Sequence, residues 1–484
     1  MARAAKAAST AGAKLAAGAW SAGWIASADG RPARALRGAV FTLDGRPGPM
    51  MDIRMTAPTR QPLPASLYAE TARPAPPETR LDGDRRTSVA IVGGGFTGLS
   101  TALHLAERGI EALVLEAHEP GWGASGRNGG QVNPGLKWEP DELEGAFGPE
   151  RGGAMAALGG SAPDLVFDLI ARHAIACEAI RGGTLRAAVN DRSERSVRAS
   201  VEGWARRRAP VEWLDGPAAA AATGTEAYRG ASLDRRGGSV NPLGYARGLA
   251  EAAIRAGATV ASGAPVTRLA PAGTGWRLAT PTGTVTADHV VLATNGYTDG
   301  LWPRLKATVA PVFSAIAATA PLPSEIAAAI LPARPVLYEI SARYAYYRLD
   351  ADGRFLMGGR SVLRDSADPA DYRGLVAHAL ELFPALRAAE WRQVWNGRVA
   401  VTADHLPHLH EPAPTLHIGL GYNGRGVAMA TAMGRILADR VAGARPEDLP
   451  LPVTPITPMR FHPFWPIGVK TALAWGLMKE RFGF

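Results

Sequence analysis

The chain has 484 residues, 46% hydrophobic and 20% charged, enough apolar material for two or three packed domains. Its single cysteine, Cys177, excludes an internal disulfide and a cysteine-cluster metal site, and fits a reducing, cytoplasmic setting. The net charge of +9 is dispersed: residues 1–50 hold seven Lys/Arg against Asp29 and Asp44, and the densest cluster, Arg206-Arg207-Arg208, reads as a solvated helix face, so no nucleic-acid partner is expected.

Residues 1–60 are expected to form a flexible N-terminal extension. An uncharged run at 15–28 ends in Ala26-Ser27-Ala28, which is signal-peptidase-like but poorly hydrophobic, and Met51 or Met55 offers an alternative start. No stretch reaches the ~20 apolar residues of a membrane-spanning helix.

The most informative segment follows an extended lead-in at 61–85. An apolar run from Val89 to Val92 ends in Gly93, Gly95 and Gly98, spaced as GxGxxG, with Phe96 and Thr97 inside the motif. A helix is predicted over Leu99 to Arg108, then a strand over Ala112 to Leu115, then Glu116 and Ala117. This is the order of a dinucleotide-binding βαβ unit. Gly93 permits a tight turn, Gly95 lets a pyrophosphate approach the backbone, and Gly98 brings helix and strand together. The helix N-terminus offers unpaired N–H groups to the phosphates. Glu116, 18 residues after Gly98, is placed to accept ribose hydroxyls and to disfavour a 2′-phosphate.

A glycine-rich loop comes next, Gly121 to Gln131, and helical character appears at 140–180 and 191–208. A helix is predicted over Asn241 to Ala256. Short strands are expected at Thr259-Val260, Val266 to Leu269, Trp276 to Ala279, Thr284 to Thr286 and His289 to Ala293, the last ending in Thr294-Asn295-Gly296. Residues 308–360 carry alternating aromatic-rich strands, including Tyr344 to Leu349 and Phe355 to Gly358. The strand Leu416 to Leu420 leads through Gly421-Tyr422-Asn423-Gly424-Arg425-Gly426 into a helix ending near Arg440. The predicted fold is α/β, α+β overall: a Rossmann-like nucleotide domain from 61–170, 230–307 and 396–445, with an interleaved antiparallel-sheet substrate domain from 171–229 and 308–395, and a tail at 446–484.

Taken together, the four glycine-bearing segments resemble the D-amino-acid-oxidase-like FAD oxidoreductases, and among them the gamma-glutamylputrescine oxidases. Gly123-Ala124-Ser125-Gly126-Arg127-Asn128-Gly129-Gly130-Gln131 and Gly421-Tyr422-Asn423-Gly424-Arg425-Gly426-Val427 carry the resemblance to this subgroup. It implies that the first βαβ unit holds the adenosine end of FAD. The Val266 backbone would bond adenine, and Ala293, Thr294, Asn295 and Gly296 would form a second contact. Gly123, Ala124, Ser125, Arg127, Asn128, Gly129, Gly130 and Gln131 would cross the flavin ring. Gly421, Asn423, Gly424, Arg425, Gly426 and Val427 would bring a helix N-terminus to the flavin's pyrimidine edge, where reduction places negative charge. Some relatives attach flavin through a cysteine. Cys177 lies in an apolar stretch predicted as helical, far from these motifs, so non-covalent FAD is expected.

The resemblance further implies oxidation of a C–N bond in a small amine or amino acid. A hydride equivalent passes to flavin N5, the imine is hydrolysed, and oxygen restores the flavin with release of hydrogen peroxide. Two alternatives stay open: a dehydrogenase of the same fold that feeds a quinone or carrier protein, and a non-catalytic flavin-binding subunit. Substrate contacts are expected from Tyr338, Tyr346, Arg348, Trp395 and Asn423, because aromatic walls suit an alkylamine and an arginine suits a carboxylate. Lys306 reads as a surface lysine. No metal site is expected: His405 and His408 lack further ligands and, with Asp404, read as packing or hydrogen-bonding residues. The C-terminal segment from Phe461, with Trp465 and Trp475, is either an interfacial amphipathic helix or a packing element.

Overall fold

The computed structural model describes residues 59–482. Arg54–Arg460 form one compact unit, and the remaining described residues belong to a second, whose main element is the helix Trp465–Phe482. Almost all of the expected N-terminal extension lies outside the described residues.

The first of two large sheets rests on the parallel strands Arg85–Val92 and Ala112–Leu115, joined by the helix Phe96–Ala106. The first strand also runs parallel to Gly283–Leu292, and the sheet order is His408–Ala413, Leu416–Leu420, Gly283–Leu292, Arg85–Val92, Ala112–Leu115, Thr259–Ala261. Both faces are covered. Val89, Ile91 and Val114 pack with the helices on one side, and Ala90, Val92, Leu113 and Leu115 join a second core on the other. That is why these strands read as continuous apolar runs.

The second sheet has the order Trp391–Thr402, Val309–Pro321, Arg354–Arg360, Tyr346–Leu349, Val336–Ile340, Thr184–Ala188, Gly230–Asp234, Val211–Asp215. It is antiparallel except at one seam, where Val336–Ile340 runs parallel to Thr184–Ala188. The sheet takes in Gly230–Asp234 and all of Trp391–Thr402, two strands that overrun the segment limits expected from composition.

Several elements begin or merge differently from the sequence expectation. The first helix starts at Phe96, with Gly95 as its N-cap, so Thr97 and Gly98 belong to its first turn. The strand expected at Val266 starts at Arg268, and the two strands expected at 284–286 and 289–293 are one continuous strand, Gly283–Leu292. Helical character at 140–180 resolves into Pro140–Phe147 and Pro149–Arg172, separated by Gly148 at φ 81°. The second helix is, among the described residues, the one long and apolar enough by composition to cross a membrane. It serves as a core helix, with 61% of its apolar window buried and Val166 and Leu169 fully covered. Cys177 is not helical: it sits buried in the connection after this helix, where its carbonyl accepts the Asn241 N–H.

Candidate active site

The dinucleotide turn is built so that only glycine fits. Gly93 has φ +107°, and a Cβ there would lie 2.9 Å from the Ala293 carbonyl oxygen. A methyl on Gly98 would fall on the carbonyl oxygen of Gly93, so the helix and the turn touch backbone to backbone. The Gly93 N–H donates to Leu115 O at 3.0 Å, tying the turn to the second strand. Glu116 follows that strand, its carboxylate positioned by the backbone with acceptor capacity left on each oxygen: Oε2 accepts the Gly94 N–H at 2.6 Å and Oε1 the His118 N–H at 2.9 Å. Burial raises its carboxyl above the ordinary range, opposed by the N–H groups of His118, Gly94 and Ala117. The first turn of the Phe96 helix carries no acid.

The other three segments are bonded to this turn and to one another. Ser125 Oγ accepts the Phe96 N–H at 2.9 Å, so the 121–131 loop covers the helix N-terminus. Thr97 Oγ1 and Tyr422 OH are 2.6 Å apart. Asn295, at φ +43°, presents Oδ1 to the Gly421 N–H at 2.9 Å, and Ala293 N–H donates to Val92 O at 2.9 Å. Thr294 and Thr298 hydroxyls bond at 2.8 Å beside it. Gly296 packs its backbone near Arg398. Four stretches separated by up to 325 residues thus meet at one place.

Within the 121–131 loop, polar side chains mostly brace the loop itself. Asn128 Nδ2 donates to the carbonyls of Ala124 and Ser125, and its Oδ1 accepts the Gly130 N–H at 2.8 Å. Gln131 Nε2 donates to Leu337 O at 2.9 Å, reaching the second sheet. Arg127 Nε donates to Trp122 O, and its guanidinium lies 4.3 Å from the Trp122 ring centroid. Gly123 and Gly129 face the rings of Tyr297 and Tyr346, leaving no room for side chains. Val266 is buried in an extended stretch between Ala264, whose N–H donates to Glu116 O, and Thr267, whose N–H donates to Ala279 O.

The residues expected to meet substrate are placed differently from one another. Trp395 is 1% exposed, its indole N–H donates to Arg127 O at 3.0 Å, and it packs edge-on against Tyr68. Arg348 is buried and donates to Gly129 O at 2.8 Å, to Tyr68 OH and to Val240 O. Tyr346 bonds the Ser314 hydroxyl at 2.9 Å, and burial pushes its phenol well up. Asn423, at φ +51°, accepts the Thr402 N–H at 2.9 Å and donates to Gly421 O at 2.6 Å. Each of these four has a backbone or hydroxyl partner within the protein, as a buried polar group requires. Trp395 and Arg348 hold the 121–131 loop from the second sheet, and Thr402 at the end of that sheet's edge strand meets Asn423. Tyr338 differs. Its hydroxyl accepts from Arg425 at 2.8 Å, and the guanidinium lies 4.8 Å from its ring. Arg425 is the N-cap of the helix Gly426–Val441, whose first turn is also free of acid and buries Val427, while Gly424 takes φ +83° to admit the turn.

Lys137 is not among the residues singled out from the sequence. It stands six residues past Gln131, beside Tyr344, with its ammonium 5.8 Å from that ring. A lysine just beyond the glycine-rich loop, two residues after the turn-forming stretch Asn133-Pro134-Gly135, was the available signal. Its neighbour Glu139 pairs with Arg186 at 2.6 Å. Lys306 is exposed. Asp404 pairs with His408 at 3.0 Å and caps the Leu406 N–H; burial raises its carboxyl, but His408 outweighs this and holds it low. Among the described residues no group of three His, Cys, Asp or Glu stands close enough to hold a metal.

These features fit FAD. Two glycine-bearing turns and two helix N-termini without acids suit a pyrophosphate and an electron-rich ring edge, and a half-buried carboxylate follows the second strand, the position of the ribose-binding acid in dinucleotide folds. The comparisons agree. Residues 88–440 match the model of the family described as "DAO: FAD dependent oxidoreductase". The chain is 32% identical over 382 residues to the gamma-glutamylputrescine oxidoreductase of Escherichia coli K12, covering 78% of this chain and 89% of that protein. Its structure is similar to that of glycine oxidase from Geobacillus kaustophilus, with TM-score 0.63 and 24% identity over 75% of this chain and 96% of that one. It is also similar to L-amino acid deaminase from Proteus vulgaris, with TM-score 0.65 and 17% identity over 79% and 96%. The chain belongs to the DAO family of FAD-dependent oxidoreductases, and FAD is its cofactor.

Proposed function

We propose that this enzyme oxidises a C–N bond of a small amine or amino acid and uses molecular oxygen as acceptor, yielding an imine that water hydrolyses, together with hydrogen peroxide. The observation that carries the reading is the junction of the four glycine segments, whose 121–131 loop is bonded by Arg348 and Trp395 of the second sheet and packed at Gly129 by the Tyr346 ring. The kinship with an oxidoreductase of gamma-glutamylputrescine supports an amine as substrate.

FAD, when bound, supplies the two-electron acceptor. The chain's own residues do the rest. Gly93, Gly95 and Gly98 would hold the pyrophosphate end, Glu116 the ribose, and the 121–131 loop the ring. The N-terminus of the helix Gly426–Val441, with the backbone of Gly424 to Val427, would stabilise negative charge at the ring edge. No strong base is needed once the amine is bound neutral, since the α-hydrogen leaves with its electrons. Tyr338, Lys137 and Arg425 are the polar groups left to orient the substrate. The buried, unpaired Cys177 suits a reducing compartment such as the cytoplasm.

The test is an anaerobic screen of gamma-glutamylputrescine, sarcosine, glycine and D-amino acids against the purified holoenzyme, watching flavin bleaching. Readmission of air should restore the yellow form with one peroxide per amine oxidised. Bleaching that persists in air would replace the oxidase by a dehydrogenase. Bound FAD that no amine reduces would overturn the proposal.

A further inference from the structure

We propose that the helix Trp465–Phe482 is a membrane-surface anchor, which lays an exposed apolar stripe and the cations beside it on an anionic phospholipid bilayer.

The argument starts from where exposed apolar surface lies. Among the described residues the exposed large hydrophobic side chains are Phe147, Phe461, Phe464, Ile467, Trp475 and Met478, so all but Phe147 stand in one short segment. Exposed apolar residues scattered singly need no explanation; a cluster does. Their spacing arranges them. Phe464, at the end of the turn His462–Phe464, is followed by Ile467, Thr471, Trp475 and Met478, steps of three and four that set them along one side of the helix. All of these are exposed, Phe464 by 57% and Ile467 by 63%. Trp465, Val469, Ala472, Leu473 and Gly476 mark the other side and are partly covered. The helix is therefore apolar on both sides, and one of them faces outward. A helix whose packing is complete on its own protein turns polar residues outward. The stripe from Phe464 to Met478 runs about 21 Å at 1.5 Å per residue, a straight line that suits a flat surface.

Charge selects the surface. From Phe461 onward Lys470, Lys479 and Arg481 stand against Glu480, a net of +2, and residues 1–50 carry a net of +5. These two ends thus hold seven of the nine net positive charges of the chain. Lys470 is exposed on the helix, and no acid occurs from Phe461 to Met478. Pairing this face with a second copy would set like charges against each other. An anionic bilayer satisfies both features: the apolar side chains enter the boundary between headgroups and acyl chains, and the cations stay among the phosphates. With Lys470, Lys479, Glu480 and Arg481 in its 18 residues, the helix lies on the bilayer and does not cross it. The inference is independent of which substrate or acceptor the enzyme uses.

The experiment mixes the full-length holoenzyme with vesicles of phosphatidylglycerol and phosphatidylcholine, or of phosphatidylcholine alone, and separates bound from free protein by flotation. The enzyme should float with the anionic vesicles, several-fold less with the neutral ones, and less again in high salt. F464Q and I467Q, which remove apolar surface without changing charge, should each weaken binding about tenfold. K470Q should weaken it about fivefold, and K470R should restore it, a rescue that a merely structural role would not give. Because these side chains are exposed, every variant should keep its FAD and its melting temperature. Absence of flotation with anionic vesicles would overturn the inference. So would equal binding to the two kinds of vesicle, or F464Q and I467Q that float as well as the native chain. Sedimentation gives the last check: self-association that I467Q abolishes, without vesicle binding, would assign the stripe to a second copy and overturn the anchor.

Discussion

Replacing Gly93 by alanine isolates the cofactor turn. The residue sits at φ +107°, outside the region an L-residue adopts readily, and the new Cβ would stand 2.9 Å from Ala293 O and 3.2 Å from the carbonyl carbon. Backbone forced into such a conformation costs about 1–3 kcal/mol. The contact is roughly half an ångström too short for carbon against backbone, which adds on the order of 1 kcal/mol of overpacking. Neither neighbour can retreat cheaply. Ala293 is bonded to Val92 O, and the turn is bonded to Leu115 O. The expected total of about 2–4 kcal/mol divides between stability and FAD binding, because the turn moves exactly where the pyrophosphate must approach. Thermal melting of the apoprotein should drop by about 2–4 °C, at about 1 °C per kcal/mol for a chain of this length, and FAD affinity, read from flavin fluorescence, should weaken by about tenfold or more. A variant with unchanged melting and unchanged FAD affinity would refute the claim that this turn cradles the cofactor.

Other outcomes follow from single interactions. R348M removes three buried bonds to Gly129 O, Tyr68 OH and Val240 O; it should cost about 2–4 kcal/mol and loosen FAD, and a variant that retains FAD but shows only a raised KM would return Arg348 to the substrate. N295A deprives the Gly421 N–H of its acceptor and should weaken FAD about tenfold, for a buried donor worth about 1–2 kcal/mol, by equilibrium dialysis. His378 lies 2.8 Å from buried Glu339; burial lowers its pKa, but Glu339 outweighs this and raises it above 6.5. Its contribution to stability is therefore complete below pH 6.5 and lost as pH rises through the folded value, so urea midpoints should fall over that range in the native enzyme and stay flatter in H378Q. Acid precipitation should release all FAD into the supernatant, and iodoacetamide should leave Cys177 unmodified in the folded protein, since burial pushes its thiol up to about 12; flavin retained in the pellet would refute non-covalent binding.

The cofactor half was legible because its signals are local. Gly93, Gly95 and Gly98 act through φ angles and close approach within a few residues, and Glu116 directly follows the next strand, Ala112–Leu115. The strand Leu416–Leu420 and the helix after it were bounded almost to the residue, since Gly421 and Gly424 both need positive φ. The second sheet was not legible in the same way. Nothing near Trp391–Thr402 announces a strand twelve residues long, and nothing near Thr184–Ala188 reveals a parallel partner more than 150 positions away. Register and neighbours there are settled by packing between distant segments, and so is which way Tyr346 or Trp395 points.

The same distinction bears on the expected substrate contacts. Arginine and asparagine are good ligands, yet the polar atoms of Arg348 and Asn423 also have partners within the protein, matched during folding. The informative polar group is the one that folding leaves incompletely matched. Arg425 Nε is buried without a partner, and Lys137 stands among cations beside an already paired Glu139. The same logic ranks Tyr338 above Tyr346: one hydroxyl faces an unfinished cation, the other is closed off with Ser314.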